Sequence, residues 1–275
     1  MEPIEKLHKI DLEIVKNVIK VFEKYDLKYF MLGGTMLGAI RHGGFIPWDD
    51  DIDLGMPRKD YEKFLEVAED ELPSHLQIVN YKNTSSYQYY ITRVQNTDVK
   101  VIEERIGNDS KFTFASIDIF PIDGTPNNKL LRKIYYFRVL THRALMSLHY
   151  KDSIDRKRKR RKLESAFIWV MEKIPFDKII NPYKEKEKID RLLSHQNIDN
   201  SNYIGNIMGA YRTREIVPKE WYGEGTKYKF EDIELIGFDN YHEYLKYTYG
   251  NYMELPPVES RKTHYCLESL VSENE

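Results

Sequence analysis

The first long apolar pattern falls at Ile4, Leu7, Ile10, Ile14, Val18 and Phe22, and its spacings of three and four predict an opening helix over residues 4–25 with one buried face. KYFML then reads as a short strand running into Gly33-Gly34-Thr35, and MLGAIRHGG as a short helix with a glycine stop. A compact strand follows from Ile52 to Met56. Pro57 suits the first turn of the next helix, whose apolar face is Tyr61, Phe64, Leu65 and Ala68. From His75 to Ile122 the texture becomes β, with HLQIVNY, QYYITRV, VKVIEE and FASIDIFPI separated by polar turn residues. Beyond Asn127 it turns helical over 128–150, 156–174 with a break at Pro175, and 183–194. The tail from Ser201 to Glu254 mixes short strands, loops and a helix around 240–249. The pattern implies an α/β head, residues 1–125, and a mainly helical remainder, residues 126–275, whose tail packs back on it.

With 275 residues, the chain is long enough for one or two domains with a real core. Hydrophobic residues at 41% and charged residues at 31% exclude collagen-like, disulfide-stapled and wholly disordered classes. The single cysteine, Cys266, excludes an internal disulfide and a thiolate zinc site, and suits a reducing compartment. The N-terminal MEPIEKLHKIDLEIVKNVIK intersperses charges where a secretory signal needs an apolar block, and no window offers the ~18 apolar residues of a membrane span. The expectation is a cytoplasmic protein, at most peripheral at the inner face of the membrane.

The net charge of −2 hides a polarity along the chain, since residues 129–163 hold 13 Lys and Arg against only Asp152 and Asp155. The peak is the run Arg156 to Lys162, followed shortly by AFIWVMEKIPF. One reading is a solvated helical face. The other is peripheral contact with anionic lipid through residues 156–176, each cation near the surface contributing about 1 kcal/mol. Nucleic acid is disfavoured, because the rest of the chain is acidic and aromatics do not interleave the run.

The most informative stretch is Gly33-Gly34-Thr35 followed by Trp48-Asp49-Asp50-Asp51-Ile52-Asp53-Leu54-Gly55. On a strand, Asp51 and Asp53 project to one face while Ile52 and Leu54 anchor the other. Carboxylates held that close repel unless a cation lies between them, and hard oxygen ligands without Cys or His favour Mg²⁺ or Mn²⁺. Asp49 and Asp50 are equally well read as solvated turn residues. A third carboxylate comes from FASIDIFPID, where Asp118 between Ile117 and Ile119 is costly without a partner and is expected in the same acidic pocket. Asp123 is the alternative, better read as a turn residue. Gly33 and Gly34 let the backbone approach a phosphate, the N–H groups opening the next helix can bind its oxygens, and Thr35 can add a hydroxyl at the helix cap.

GGTMLGAIRHGGFIPWDDDIDLGM resembles the signature of the LicD family, as do Arg93 with Asn96-Thr97, FASIDIFPID, and the closing YLKYTYGNYMELPP, with Asn251 where Asp is common. The similarity spans roughly residues 28–260. It implies an α+β fold with a nucleotidyltransferase-like mixed sheet flanked by helices. It also implies transfer of phosphocholine, or a related phospho-alcohol, from a CDP-linked donor such as CDP-choline to a glycan, teichoic-acid or lipid-linked hydroxyl, with CMP as product. On this reading Asp51, Asp53 and Asp118 hold the metal, and Asp118 takes the proton of the attacking hydroxyl. Gly33, Gly34, Thr35, Arg41, His42, Trp48 and Arg93 are candidate donor contacts, the arginines because their forked donors match phosphate. Trp48, Tyr89, Tyr90 and Tyr211 are candidates for a choline cage. Arg261 and His264 lie late in the chain without an assigned role. The competing enzyme reading is nucleotidyl transfer from an NTP with release of pyrophosphate, since the same scaffold serves both.

Overall fold

The computed structural model describes residues 3–103, 111–150, 176–261, 263 and 265–272. The basic run, the adjoining apolar segment up to residue 175, and His264 lie outside the described residues.

The opening helix α1 spans Pro3–Lys24 and buries Leu7, Ile14, Val15, Val18 and Phe22 on the face its spacing defines. A mixed sheet forms the centre. Its main path runs β1 (Phe30–Met31), β2 (Asp53–Pro57), β5 (Lys111–Gly124), β4 (Thr92–Glu103) and β10 (Tyr265–Ser272), with β3 (Leu76–Val79) also paired to β4. All of these pairings are antiparallel except β2 with β5, which is parallel. The chain passes from β2 through α3 (Arg58–Glu71), β3 and β4 before β5 returns alongside, the kind of crossover that parallel neighbours require. Ile52, Leu54, Met56, Ile117 and Ile119 are fully buried and pack with Phe22 of α1 and Phe64 of α3 in the main core.

Two expected strands, QYYITRV and VKVIEE, are one: β4 runs from Thr92 to Glu103, with its register against β5 shifting between Asn96 and Lys100. The irregularity accommodates the polar Asn96-Thr97-Asp98 within a continuous ladder, where the Asn96 side chain accepts from the Asp98 N–H at 3.0 Å. Residues 88–90 stay outside the strand, and Tyr90 is committed elsewhere. The late chain joins the sheet as well. Strand β6 (Tyr203–Gly205) pairs with the end of β5 and with β7 (Ile216–Pro218), while β8 (Thr226–Phe230) and β9 (Ile233–Gly237) form a separate hairpin. The remaining longer helices are α2 (Gly33–His42), α4 (Lys129–His149), and those over Pro182–Ser194 and Tyr241–Tyr249.

A buried ion network ties α3, β5 and the helix Pro182–Ser194 together. The Arg58 guanidinium donates to Asp123 through Nε at 2.8 Å and Nη2 at 2.5 Å, and to Asp190 through Nη1 at 2.9 Å. Tyr90 donates to the same Asp190 oxygen at 2.6 Å, and Lys82 caps the other at 2.9 Å. Asp123 thus serves this network, and Tyr90 is not available to a choline cage. Removing one partner of a buried pair strands the other. Arg58→Ala is expected to lower unfolding free energy in urea by about 3–5 kcal/mol, with Lys59→Ala, at an exposed pair, as the near-neutral control.

Candidate functional site

The parallel register pairs Asp53 with Asp118. Residues opposite one another on neighbouring strands face the same side, so the two carboxylates sit together while Leu54 and Ile119, next in the same register, are buried. Asp118 is also the register partner of Arg93 across β4, and the Arg93 Nε donates to its Oδ1 at 2.9 Å. Arg93 is nearly buried and stacks on Tyr89, 4.6 Å from the ring centre. It is therefore built into the site as the partner of Asp118.

The acidic turn before β2 adds three carboxylates. Asp49 N–H donates to the Ile46 carbonyl at 2.9 Å, closing a turn with Pro47 in its second position. Asp49, Asp50 and Asp51 offer oxygens that all lie within 4.8 Å of one another. From α1, His8 stacks on Phe45 at 4.0 Å and its Nε2 bonds the Asp49 carbonyl at 2.7 Å, fastening the turn. One helical turn on, Asp11 is fully buried, with neither carboxylate oxygen hydrogen-bonded among the described residues. Burial first, and then the charges of Asp51, Asp50 and Asp118, hold the Asp11 carboxyl well above its ordinary value. Burial likewise raises Asp53, reinforced by Asp51, Asp118, Asp49 and Glu215. An all-oxygen donor set this dense, beside a buried carboxyl without a partner, fits a hard divalent cation.

Helix α2 meets this cluster end on. Gly33 takes φ +48°, in the left-handed region, and its N–H donates to the Tyr244 hydroxyl at 2.9 Å. At Gly34 a Cβ would overlap the Asp49 carboxylate, so any other residue would push that carboxylate off the helix start. Thr35 does not cap the helix: α2 has no side-chain cap, and Thr35 Oγ1 instead accepts the Asp53 N–H at 2.8 Å. The hydroxyl sets where Asp53 begins its strand. Gly43 at φ +71° ends the helix.

A cationic aromatic wall stands beside the turn. Arg261 lies over Trp48 at 4.7 Å and Arg41 at 6.0 Å, with the His42 ring edge-on at 6.2 Å. Arg41 also donates to the Tyr252 carbonyl at 2.9 Å, linking α2 to the late chain. Two guanidiniums thus already attend Trp48. Tyr211 packs edge-on to Tyr249 at 5.9 Å, and a Cβ at Gly33 would stand 3.4 Å from Asp53 and 3.6 Å from the Tyr249 hydroxyl. The structure thus brings together Asp49, Asp50, Asp51, Asp53, Asp118, Arg93, Gly33, Gly34 and Thr35, sets Arg41, His42 and Trp48 beside them, and keeps Tyr90 apart.

Sequence reasoning missed Asp11, Tyr244, Glu215 and the placement of Arg261. Asp11 alone carried a local signal, a charge on the apolar face of α1 four residues after Leu7 and three before Ile14. Glu215 accepts the Tyr211 N–H at 2.7 Å and lies against Gly209, where a Cβ would overlap it. Burial pushes its carboxyl up to about 7.

A mixed sheet with paired carboxylates beside a glycine-led helix defines a nucleotidyltransferase-type domain. Residues 26–183 match the family described as LicD/FKTN/FKRP, nucleotidyltransferase domain. The chain belongs to this LicD family and is homologous to its phosphotransferases. It is 29% identical over 254 residues to the lipopolysaccharide cholinephosphotransferase LicD of Haemophilus influenzae, covering 90% of this chain and 91% of that one. Over 48 residues it is 46% identical to the mouse ribitol 5-phosphate transferase FKRP, covering 18% of this chain and 10% of that protein. An uncharacterized protein of Rickettsia typhi is 30% identical over 118 residues, covering 43% and 36%.

Two outcomes follow from the local chemistry. Thr35→Val leaves the Asp53 N–H without its acceptor and is expected to lower unfolding free energy by about 1–3 kcal/mol, whereas Thr35→Ser retains most of it; urea titration of both reads the difference. Glu215 is raised in the folded state, so its contribution to stability is full below about pH 4.5 and is lost as pH rises through about 7. Thermal midpoints of Glu215→Gln should lack this decline between pH 5 and 7, which amounts to about 3 kcal/mol.

Proposed function

We propose that this protein is a metal-dependent transferase that moves phosphocholine, or a related phospho-alcohol, from a CDP-linked donor to a hydroxyl of a cell-surface glycan precursor and releases CMP. The observation that carries this reading is the in-register pair Asp53 and Asp118, with the oxygens of Asp49, Asp50 and Asp51 gathered in the turn before β2, both against the glycines that open α2. A relative alignable over nine-tenths of the chain that is a cholinephosphotransferase supports it.

In this reading Asp51, Asp53 and Asp118 hold Mg²⁺ or Mn²⁺, with Asp49 and Asp50 completing the acidic turn. When bound, the cation neutralises the donor diphosphate. The start of α2 faces the same charge with its positive dipole end. Arg41, Arg261, His42 and Trp48 hold the nucleotide. The Tyr211 and Tyr249 rings, edge to face, offer the aromatic surface for a quaternary ammonium, the role expected of Trp48, whose ring the arginines attend. Asp118, oriented by Arg93, accepts the proton of the acceptor hydroxyl as its oxygen bonds the choline-bearing phosphorus. The bond from that phosphorus to the CMP oxygen then breaks. An acceptor that is lipid-linked calls for a cytoplasmic enzyme peripheral to the inner membrane face. No helix of the described residues is long and apolar enough to cross a membrane.

The test is CMP release from CDP-choline with Mg²⁺ and a glycan acceptor. Asp51→Asn and Asp53→Asn are each expected to lower turnover by about 10³-fold or more with the thermal midpoint retained. Near-native rates in either variant overturn the metal assignment. Pyrophosphate from an NTP, without CMP from CDP-choline, overturns the transfer reading in favour of nucleotidyl transfer.

A further inference from the structure

Helix α4 is apolar on the side that faces away from the other described residues. Tyr135 and Val139 are its buried residues, and Arg143 donates from the packed side to the Ile207 and Gly209 carbonyls at 3.0 and 2.9 Å. At about 100° per residue, Leu130, Ile134, Phe137 and Thr141 share the opposite face. Leu130 is 66% exposed, Ile134 49% and Phe137 73%, with Leu131 at the border 56% exposed. Ordinary surface helices reverse this pattern, and clustered exposed apolar side chains of this size mark an interaction surface.

The rim decides the partner. Exposed Lys129 and Lys133 follow one edge of the stripe and exposed Arg138 the other. Residues 129–149 contain no Asp or Glu. Beside the helix, Arg132 lies 4.2 Å over the ring of Tyr203, which is itself partly exposed. The helix start is fixed, because the Asn128 side chain accepts from the Leu130 and Leu131 N–H groups. A second copy docked face to face would bring two all-cationic helices together, which a two-fold contact penalises. An acidic polymer calls for cations at the centre of the contact, where this face has Phe137 and Ile134.

We infer that the outward face of α4 lies on an anionic lipid bilayer, its apolar stripe in the acyl boundary and its cations among the headgroups. The surface deepens the peripheral placement proposed above and rests on it for its purpose. Its lipid contact stands independently of the transfer chemistry.

Co-sedimentation of the full chain with vesicles of phosphatidylcholine alone, and of an equimolar mixture with phosphatidylglycerol, tests it. Binding is expected only to the mixed vesicles. Ile134→Asp with Phe137→Asp should weaken it about tenfold or more, and Lys129→Gln with Lys133→Gln and Arg138→Gln about a hundredfold, at roughly fivefold per cation. These positions are exposed, and circular dichroism of each variant against the parent chain is the check on folding. As a second measurement that keeps every charge, the emission of Phe137→Trp less that of the parent chain, which carries three tryptophans of its own, should shift to the blue on the mixed vesicles alone. Undiminished binding by both multiple variants, or a difference signal from Phe137→Trp against the parent chain that ignores anionic lipid, overturns the inference. So does a dimer on gel filtration that Phe137→Asp dissociates, since the occupant is then a second copy. CMP release measured without vesicles is a separate readout, so loss of lipid binding and loss of the transferase reading are told apart.

Discussion

Two carboxylates cannot be held side by side in a partly dry pocket unless something answers their charge, and the parallel register of β2 with β5 imposes that situation on Asp53 and Asp118. At the ~5 Å spacing of neighbouring strands, two full charges repel by about 3 kcal/mol at an effective dielectric constant of 20. Arg93 answers part of it at 2.9 Å from Asp118. Burial first, and then the charges of Asp51 and Asp118, hold the Asp53 carboxyl well above its ordinary value, a situation that a proton or a cation relieves. The register is not adjustable, because a shift of one residue would turn Leu54 and Ile119 out of the core and the aspartates into it. Hydrophobic burial thus enforces the electrostatic conflict from which the site is made.

The supports around this pair are arranged to hold it under that strain. Thr35 ties the backbone of Asp53 to α2, His8 ties the acidic turn to α1, and Arg58 joins Asp123, five residues beyond Asp118 on the same strand, to α3 and to Asp190. Each anchor is a long-range polar bond to a rigid element, and each leaves a buried group unsatisfied if broken. The acidic cluster is therefore held by the rest of the fold, not by its own attractions.

The parts of this site that depend on spacing were legible in the sequence. Alternation set Asp53 opposite the buried Leu54, and the cost of a charge between Ile117 and Ile119 pointed to Asp118, whereas Asp51, expected on the same strand, lies in the turn before β2. Helix α1 was readable from its period, and the strand order that makes β2 and β5 neighbours was not. Nor were contacts between residues far apart in the chain, such as Gly33 with Tyr244 or Trp48 with Arg261, because no local pattern records which surfaces will meet. The capping role expected of Thr35 was the wrong local reading, since a hydroxyl at a helix start usually caps it and here reaches across to a strand. The outward stripe of α4 fits the helical period as well as an inward one would; only the packed structure says which side faces solvent.

The hydrogen bond from Gly33 to Tyr244 spans 211 positions. During synthesis, the acidic turn and the glycine bend leave the ribosome long before the tyrosines that complete their surroundings. Helix α1, β1 and β2 can begin to collapse early, but the pocket has no finished wall until the residues around 244–261 emerge and settle against it. A nascent chain therefore carries the acidic turn and the glycine bend without their wall until 211 further positions have been added after Gly33.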